Sequence, residues 1–254
     1  MNRIYFDISA TTPVDPSVAD FMNDLQKGTY GNPSSIHREG QAARSVIEKS
    51  RRKLATALCC SSEEIIFTSS GSESNNMILK GTLNCGDHFI TSSYEHPAIL
   101  KIMPYLKEKG VEFSLIKPDK NGTVHPESVK EKIQDNTRLI SIMYVNNELG
   151  TINPISEIAR ISHEKGILFH SDAVQALGKI PLDLGNIPAD FISMSSHKLY
   201  GPKGVGALFI RKGASLKPLI YGGGQEANLR ASTENIAGIG GFGMAVELAT
   251  TNLE

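Results

Sequence analysis

The sequence contains no tryptophan and only three cysteines, and its positive and negative charges nearly cancel. With a net charge of -1 it has no basic surface field that would attract nucleic acid or an anionic membrane. No segment approaches the roughly 18 uninterrupted apolar residues that a membrane-spanning helix requires. Three cysteines without a C-x-x-C spacing are too few for a disulfide scaffold, so we predict a reducing, cytoplasmic location.

The 254 residues, of which 40% are hydrophobic, have the composition of an ordinary globular protein. Short apolar runs alternate with longer amphipathic segments, a pattern typical of an α/β fold with helices on both faces of a mostly parallel sheet. We predict an N-terminal segment over residues 1–15 and one large domain over residues 16–254. The predicted strands are Ile65–Thr68, His88–Ser92, Val111–Ile116, Leu139–Val145, Ile167–His170, Phe191–Ser195 and Val205–Ile210.

The last predicted strand departs from the alternation. The loop that precedes it is too short to hold a crossover helix, so we predict that this one strand of the seven-stranded sheet runs antiparallel. Prolines at three of the predicted helix starts suit a first helical turn, where a missing N–H costs little. The predicted helices are Ser34–Leu58, Glu73–Leu83, Pro97–Lys109, Pro126–Ile133 and Pro154–Lys165.

Polar clusters follow several predicted strands, and ligands of open α/β sheets bind beyond the carboxyl ends of the strands. The serine-rich segment 69–74 precedes a predicted helix, so its backbone N–H groups could bind an anion. An ordinary serine N-cap is the alternative, and it is the commoner explanation for such a segment taken alone. His96 could serve as an acid or base or stack on a ring, and a purely structural histidine is the alternative. Neither segment contains a Walker loop or an H-E-x-x-H zinc motif.

Two further strand ends carry Asp172 and Lys198, which we predict to face the same crevice. Taken singly, Asp172 suits a helix N-cap and Lys198 a solvated surface side chain. Together with an anion site they suit pyridoxal 5'-phosphate. The lysine amine forms a Schiff base with its aldehyde, and the carboxylate keeps its pyridine nitrogen protonated.

With these residues, the sequence resembles the class V aminotransferase superfamily, most closely the NifS/IscS-type cysteine desulfurases. The matching stretches span almost the whole chain in the family order. They are YFDISATTPVDP (5–16), YGNPSSIHREGQAAR (30–44), IIFTSSGSESNN (65–76), TSSYEHPAIL (91–100), MYVNNELGTINPI (143–155), HSDAVQALGKI (170–180), SMSSHKLYGPKGVGALF (193–209) and GGGQEANLRASTENI (222–236).

The resemblance implies the large domain of a fold type I PLP-dependent transferase, with sites at a homodimer interface. It implies that Lys198 is the Schiff-base lysine, that Asp172 pairs with the pyridine nitrogen, and that His96 stacks on the ring and transfers protons. The remaining implied contacts are Gln175 and Asn147 at the 3-hydroxyl side, Gly71, Ser72, Ser195 and His197 at the phosphate, and Thr233 at the phosphate of the partner subunit.

The activity implied is removal of sulfur from L-cysteine or a similar amino acid, giving L-alanine. The sulfur would pass to an enzyme cysteine and on to an acceptor protein such as an iron–sulfur scaffold. In the family that cysteine and a carboxylate-binding arginine lie in a smaller C-terminal domain. The sequence ends before the positions of that cysteine and that arginine. None of Cys59, Cys60 and Cys85 matches the family's cysteine, so we expect this stretch to be inactive alone.

Three alternatives stay open at this level. One is another class V enzyme, such as a selenocysteine lyase or a small-molecule aminotransferase. Another is a non-catalytic dimerising module. A third is dinucleotide binding, because Gly238, Gly240 and Gly243 fit G-x-G-x-x-G; no strand is predicted before them, and we interpret these glycines as sites of close helix packing.

Overall fold

The computed structural model describes residues 4–251 and 253, and a seven-stranded sheet forms its centre. The strands lie in the order β1-β7-β6-β5-β4-β2-β3. Their bounds are β1 Ile65–Thr68, β2 His88–Ser92, β3 Glu112–Ile116, β4 Thr137–Ser141, β5 Leu168–Asp172, β6 Phe191–Ser195 and β7 Gly206–Ile210. The predicted mixed α/β sheet is therefore confirmed.

Strand β7 is antiparallel to both of its neighbours, β1 and β6, whereas the pairs among β2, β3, β4, β5 and β6 are parallel. The predicted antiparallel exception is thus confirmed. Because β1 and β6 both oppose β7, β1 points the same way as the parallel strands. The carboxyl ends of six strands consequently meet at one edge of the sheet, where the site lies.

Eight α-helices among the described residues surround the sheet. They are α1 Pro16–Gly28, α2 Arg38–Ala57, α3 Gly71–Thr82, α4 Pro97–Leu100, α5 Met103–Glu108, α6 Pro126–Lys130, α7 Ile155–Glu164 and α8 Ile236–Thr251. The helix predicted over Pro97–Lys109 is in fact two helices. Pro104 lies in the first turn of α5, and its missing N–H and ring prevent a continuous helix from passing through that position.

Helix α8 packs against α1 and α2, and its glycines permit the close approach. A Cβ added at Gly243 would lie 2.7 Å from the Cβ of Ser50 in α2, and one at Gly240 would lie 2.4 Å from Leu25 of α1. The predicted role of these glycines in helix packing is confirmed. No strand leads directly into their helix among the described residues, since β7 ends at Ile210 and α8 begins at Ile236, which removes the dinucleotide alternative.

Two apolar cores cover opposite faces of the sheet. Phe169 and Ile192 belong to one core, and Phe89 and Phe191 to the other, with all four side chains fully buried. Such double-sided burial explains why the central strands are apolar throughout. Edge strand β3 is mostly exposed instead. Within the described ranges, no helix combines the length and the apolar character needed to cross a membrane.

A buried ion pair anchors the loop before α8 to the sheet. Arg51 donates to both carboxylate oxygens of Glu226 at 2.8 Å, and the backbone N–H of Phe67 donates to the same carboxylate at 2.6 Å. Glu226 has a φ of 46°, a backbone conformation that is uncommon for residues other than glycine. The three contacts hold it in that conformation.

We expect Glu226→Ala to lower the free energy of unfolding by about 2–4 kcal/mol, because it leaves the buried Arg51 guanidinium with Glu48 as its only carboxylate among the described residues and removes the acceptor of the Phe67 N–H. Urea denaturation measures the change. The control is Lys53→Met, which removes the exposed pair between Lys53 and Glu247 and should cost less than about 1 kcal/mol. Equal losses in the two variants would contradict an anchoring role for Glu226.

Candidate active site

A cavity of about 390 Å³ opens at the carboxyl ends of the strands. This volume lies in the range of small-molecule sites. Every residue that the sequence predicts for the cofactor lines it except Thr233. The lining residues among them are Gly71, Ser72, His96, Asn147, Asp172, Gln175, Ser195, His197 and Lys198.

Asp172 ends β5, and its carboxylate is almost completely buried, with the residue 6% exposed. One carboxylate oxygen accepts from Asn75 Nδ2 at 2.7 Å and the other from the Val174 N–H at 3.0 Å. Burial raises the pKa of Asp172, while those two donors and the nearby charge of Lys198 oppose the rise. Because desolvation prevails, the carboxylate would be stabilised by a cationic ligand atom placed against it.

Lys198 lies in the 3-10 turn directly after β6 and reaches across to the N-terminal segment. Its Nζ donates to the carbonyls of Ser9 at 2.5 Å and Ala10 at 2.7 Å. Desolvation lowers the pKa of Lys198, against the charges of Asp172 and Asp7. A lowered pKa increases the fraction of neutral amine, the form that attacks a carbonyl carbon.

The turn between β1 and α3 forms the opposite wall. The Ser70 hydroxyl accepts from the Glu73 N–H at 3.1 Å, so the ordinary N-cap interpretation is correct for Ser70. Gly71 and Ser72 follow in the first helical turn, whose N–H groups have no intrahelical acceptors and suit an anion. A Cβ added at Gly71 would lie 2.6 Å from Val174, so only glycine fits this approach without a shift.

His96 caps α4 and lines the cavity at the same time. Its Nδ1 accepts from the Ala98 N–H at 3.1 Å. In the neutral ring this contact requires Nδ1 to be unprotonated, so Nε2 carries the proton. The structural and functional interpretations of this histidine therefore do not compete, since the cap fixes the tautomer.

Two amide side chains complete the wall. Gln175 is buried, and its Nε2 donates to the Ser9 carbonyl at 2.8 Å. Asn147 is half-buried and donates to Glu148 at 2.7 Å. His197 contacts the hydroxyl of Thr11 at 3.0 Å. The N-terminal segment is thereby bonded to three residues that line the cavity, Gln175, His197 and Lys198.

Comparison with known proteins assigns the family. The aminotransferase class-V family profile matches residues 4–254. The chain belongs to the aminotransferase class-V family. It is 48% identical to the cysteine desulfurase IscS of Dictyoglomus turgidum over 256 residues, and 43% identical to a mitosomal cysteine desulfurase of Encephalitozoon cuniculi over 261 residues.

Both alignments cover 99% of this class-V chain, which spans 65% of the first relative and 60% of the second. Among solved structures, a NifS-like protein superposes with a TM-score of 0.94 at 43% identity, over 98% of this chain and 70% of that one. SspA in complex with cysteine gives a TM-score of 0.93 at 40% identity, over 96% and 72% of the two chains.

Three features of the class-V site were missed at the sequence level. Asn75 binds Asp172, and its position four residues after Gly71 on α3 was a usable signal. Ser9 lies 189 positions from Lys198, and nothing local in the sequence joins the two. Glu95 directly precedes His96 and is fully buried behind the cavity wall.

Thr233 and the cysteines lie away from the cavity. Thr233 is exposed and does not line it. Cys59 and Cys85 are exposed and Cys60 is half-buried. Cys59 and Cys60 follow the end of α2, and Cys59 has a φ of 53°.

Glu95 yields a pH-dependent prediction for this class-V chain. Its Oε1 accepts from the Ser92 hydroxyl at 2.5 Å and the Met143 N–H at 3.0 Å, while Oε2 is buried and has no hydrogen-bond partner in the described part of the chain. Burial raises the pKa of Glu95 to about 8. In the unfolded chain the pKa of Glu95 is about 4.3. The contribution of protonated Glu95 to the free energy of unfolding is therefore complete below that pH and is lost as the pH rises through about 8.

We therefore expect Glu95→Gln, which keeps the acceptor and cannot ionise, to gain stability relative to wild type as the pH rises from about 5 to about 8. The expected relative gain is about 2–4 kcal/mol. Urea denaturation at several pH values measures it. Glu63→Gln controls for the loss of one exposed carboxylate, and a pH-independent difference between wild type and Glu95→Gln would contradict burial of a protonated acid.

Proposed function

We propose that this chain is the pyridoxal-phosphate-binding part of a cysteine desulfurase. The observation that carries the proposal is the pairing of an amine, Lys198, with a buried carboxylate, Asp172, in one cavity at the strand ends. The similarity to curated cysteine desulfurases over 99% of the chain supports it, as does the similarity to a protein solved with cysteine.

The donor set of the cavity fits the cofactor. The buried Asp172 carboxylate suits the protonated pyridine nitrogen. The Lys198 amine, with its lowered pKa, suits the aldehyde. The first turn of α3, with its hydroxyl side chains, suits the phosphate. The buried Oδ1 of Asn75, on a side chain that lines the cavity, has no partner in the described protein. When bound, pyridoxal phosphate supplies an electron sink for bonds at the α-carbon of an amino acid.

Within this proposal each wall residue has one task. Lys198, whose Nζ now donates to the carbonyls of Ser9 and Ala10, would hold the cofactor at its aldehyde carbon. Asp172, held by Asn75, keeps the ring nitrogen protonated. Gly71, Ser72, Ser195 and His197 bind the phosphate.

The remaining wall residues act on the ring and on protons. His96, with its proton fixed on Nε2, would pack on the ring and transfer protons. Gln175 and Asn147 contact the ring hydroxyl.

The proposal extends to partners and location. The substrate is L-cysteine, and the sulfur passes to an acceptor protein such as an iron–sulfur scaffold. The protein is a homodimer in which the exposed Thr233 reaches the phosphate bound by the partner. We place it in the cytoplasm, and the free thiols of Cys59, Cys60 and Cys85 fit a reducing compartment.

The direct test is covalent trapping on Lys198. Incubation with pyridoxal phosphate, reduction with borohydride and peptide mapping should place the pyridoxyl adduct on Lys198. Lys198→Ala should lose at least about nine-tenths of the incorporated label, because among the described residues Lys198 is the only lysine that lines the cavity together with Asp172.

Lys212→Ala removes a lysine outside the cavity and serves as the matched control, with full labelling expected. An adduct spread over surface lysines in the wild-type protein would refute the proposal, and so would undiminished labelling of Lys198→Ala.

A further inference from the structure

A second lysine is connected to the site by hydrogen bonds. Lys179 Nζ donates to Gln175 Oε1 at 2.5 Å, and Gln175 Nε2 donates to the Ser9 carbonyl at 2.8 Å. The same carbonyl accepts from Lys198 at 2.5 Å. Lys179 is therefore linked to Lys198 through one amide side chain and one backbone carbonyl.

Gln175 lies between two adjoining cavities. The first is the 390 Å³ cavity already described, and the second, of about 430 Å³, is lined by Lys179 as well. Both share Gln175, Ser9 and Lys198 as lining residues. The orientation of this one amide thus decides whether a donor or an acceptor faces a ligand in the first cavity.

A side-chain amide can turn over and exchange its carbonyl for its NH2 group, and only its partners decide between the two orientations. A lysine ammonium has three donors and no acceptor, so it can bind only the carbonyl of the amide. With Oε1 held by Lys179, the NH2 group must point the other way. One of its hydrogens goes to the Ser9 carbonyl, and the second is available to the cavity.

We propose that Lys179 is a positioning residue that fixes the Gln175 amide with its NH2 group toward the cavity, so that the site selects a ligand with an oxygen acceptor at that place. This rests on the proposed function, in which the acceptor is the ring hydroxyl oxygen of pyridoxal phosphate. Lys179 acts through Gln175 and does not touch the ligand.

The experiment compares the dissociation constants of pyridoxal phosphate and of its analogue without the 3-hydroxyl group, measured by absorbance titration. Lys179→Met should weaken pyridoxal phosphate about three- to tenfold, the worth of one hydrogen bond, and should change binding of the deoxy analogue less than about twofold. In a Gln175→Ala background, Lys179→Met should have no further effect above about twofold.

Two variants control the comparison. Lys179→Arg keeps the donor and should restore binding to within about twofold of wild type. Lys217 also donates to a side-chain amide, at 3.0 Å from Asn84 Oδ1, but lies outside both cavities, so Lys217→Met should leave both constants unchanged. Circular dichroism confirms that the variants fold.

The outcomes separate the two proposals. Equal weakening of both ligands, or additive effects of the Lys179 and Gln175 substitutions, would overturn the positioning role. Unchanged binding by Lys179→Met would do the same while leaving the proposed function intact. Failure of the wild-type protein to trap pyridoxal phosphate on Lys198 would instead overturn the proposed function.

Discussion

The parallel pairing of β5 with β6 is the constraint on which the site depends. Asp172 pairs with Ser193, so β5 ends where β6 has only two residues left before its turn to Lys198. A shift of one residue would move Asp172 to the other face of the sheet, because side chains alternate along a strand. Both faces carry tightly packed cores, which hold this register.

The same arrangement places two partly desolvated groups of opposite charge, Asp172 and Lys198, in one cavity. Burial raises the pKa of Asp172 and lowers that of Lys198, so neither ion is fully satisfied by the protein alone. Asn75 and the Ser9 carbonyl offset part of this cost. A ligand that brings a protonated nitrogen to the carboxylate and an aldehyde to the amine would relieve both, which is the physical reason that this pair suits pyridoxal phosphate.

The seven strands and the one antiparallel exception were accessible from the sequence, and the wall built by the N-terminal segment was not. The β-rich runs and the short loop before β7 predict the mixed sheet, since apolar alternation and loop length are local properties. Pairing Asp172 with Lys198 needed only the rule that parallel strands end at one edge. In contrast, Ser9 reaches Lys198 across 189 positions, and such contacts leave no local pattern.

Two of the differences follow from single residues. Pro104 divided a helix that the periodicity predicted as continuous. Lys179 belongs to the stretch 170–180 that carries the family resemblance. Its contact with Gln175 depends on the backbone turn that follows Asp172, and the sequence alone did not reveal it. Five of the seven strand ends agree with the prediction, whereas β4 ends at Ser141 rather than Val145 and β5 at Asp172 rather than His170. The side chains that orient the cavity-lining residues depend on tertiary structure.

The protonation state of the bound ring tests the central pairing most directly. With ¹⁵N-labelled pyridoxal phosphate, the nitrogen chemical shift should report a protonated ring in the wild-type protein at neutral pH. In Asp172→Asn, which keeps the shape and removes the charge, it should report an unprotonated ring. An unprotonated ring in wild type, or the same protonated shift in both proteins, would contradict the account.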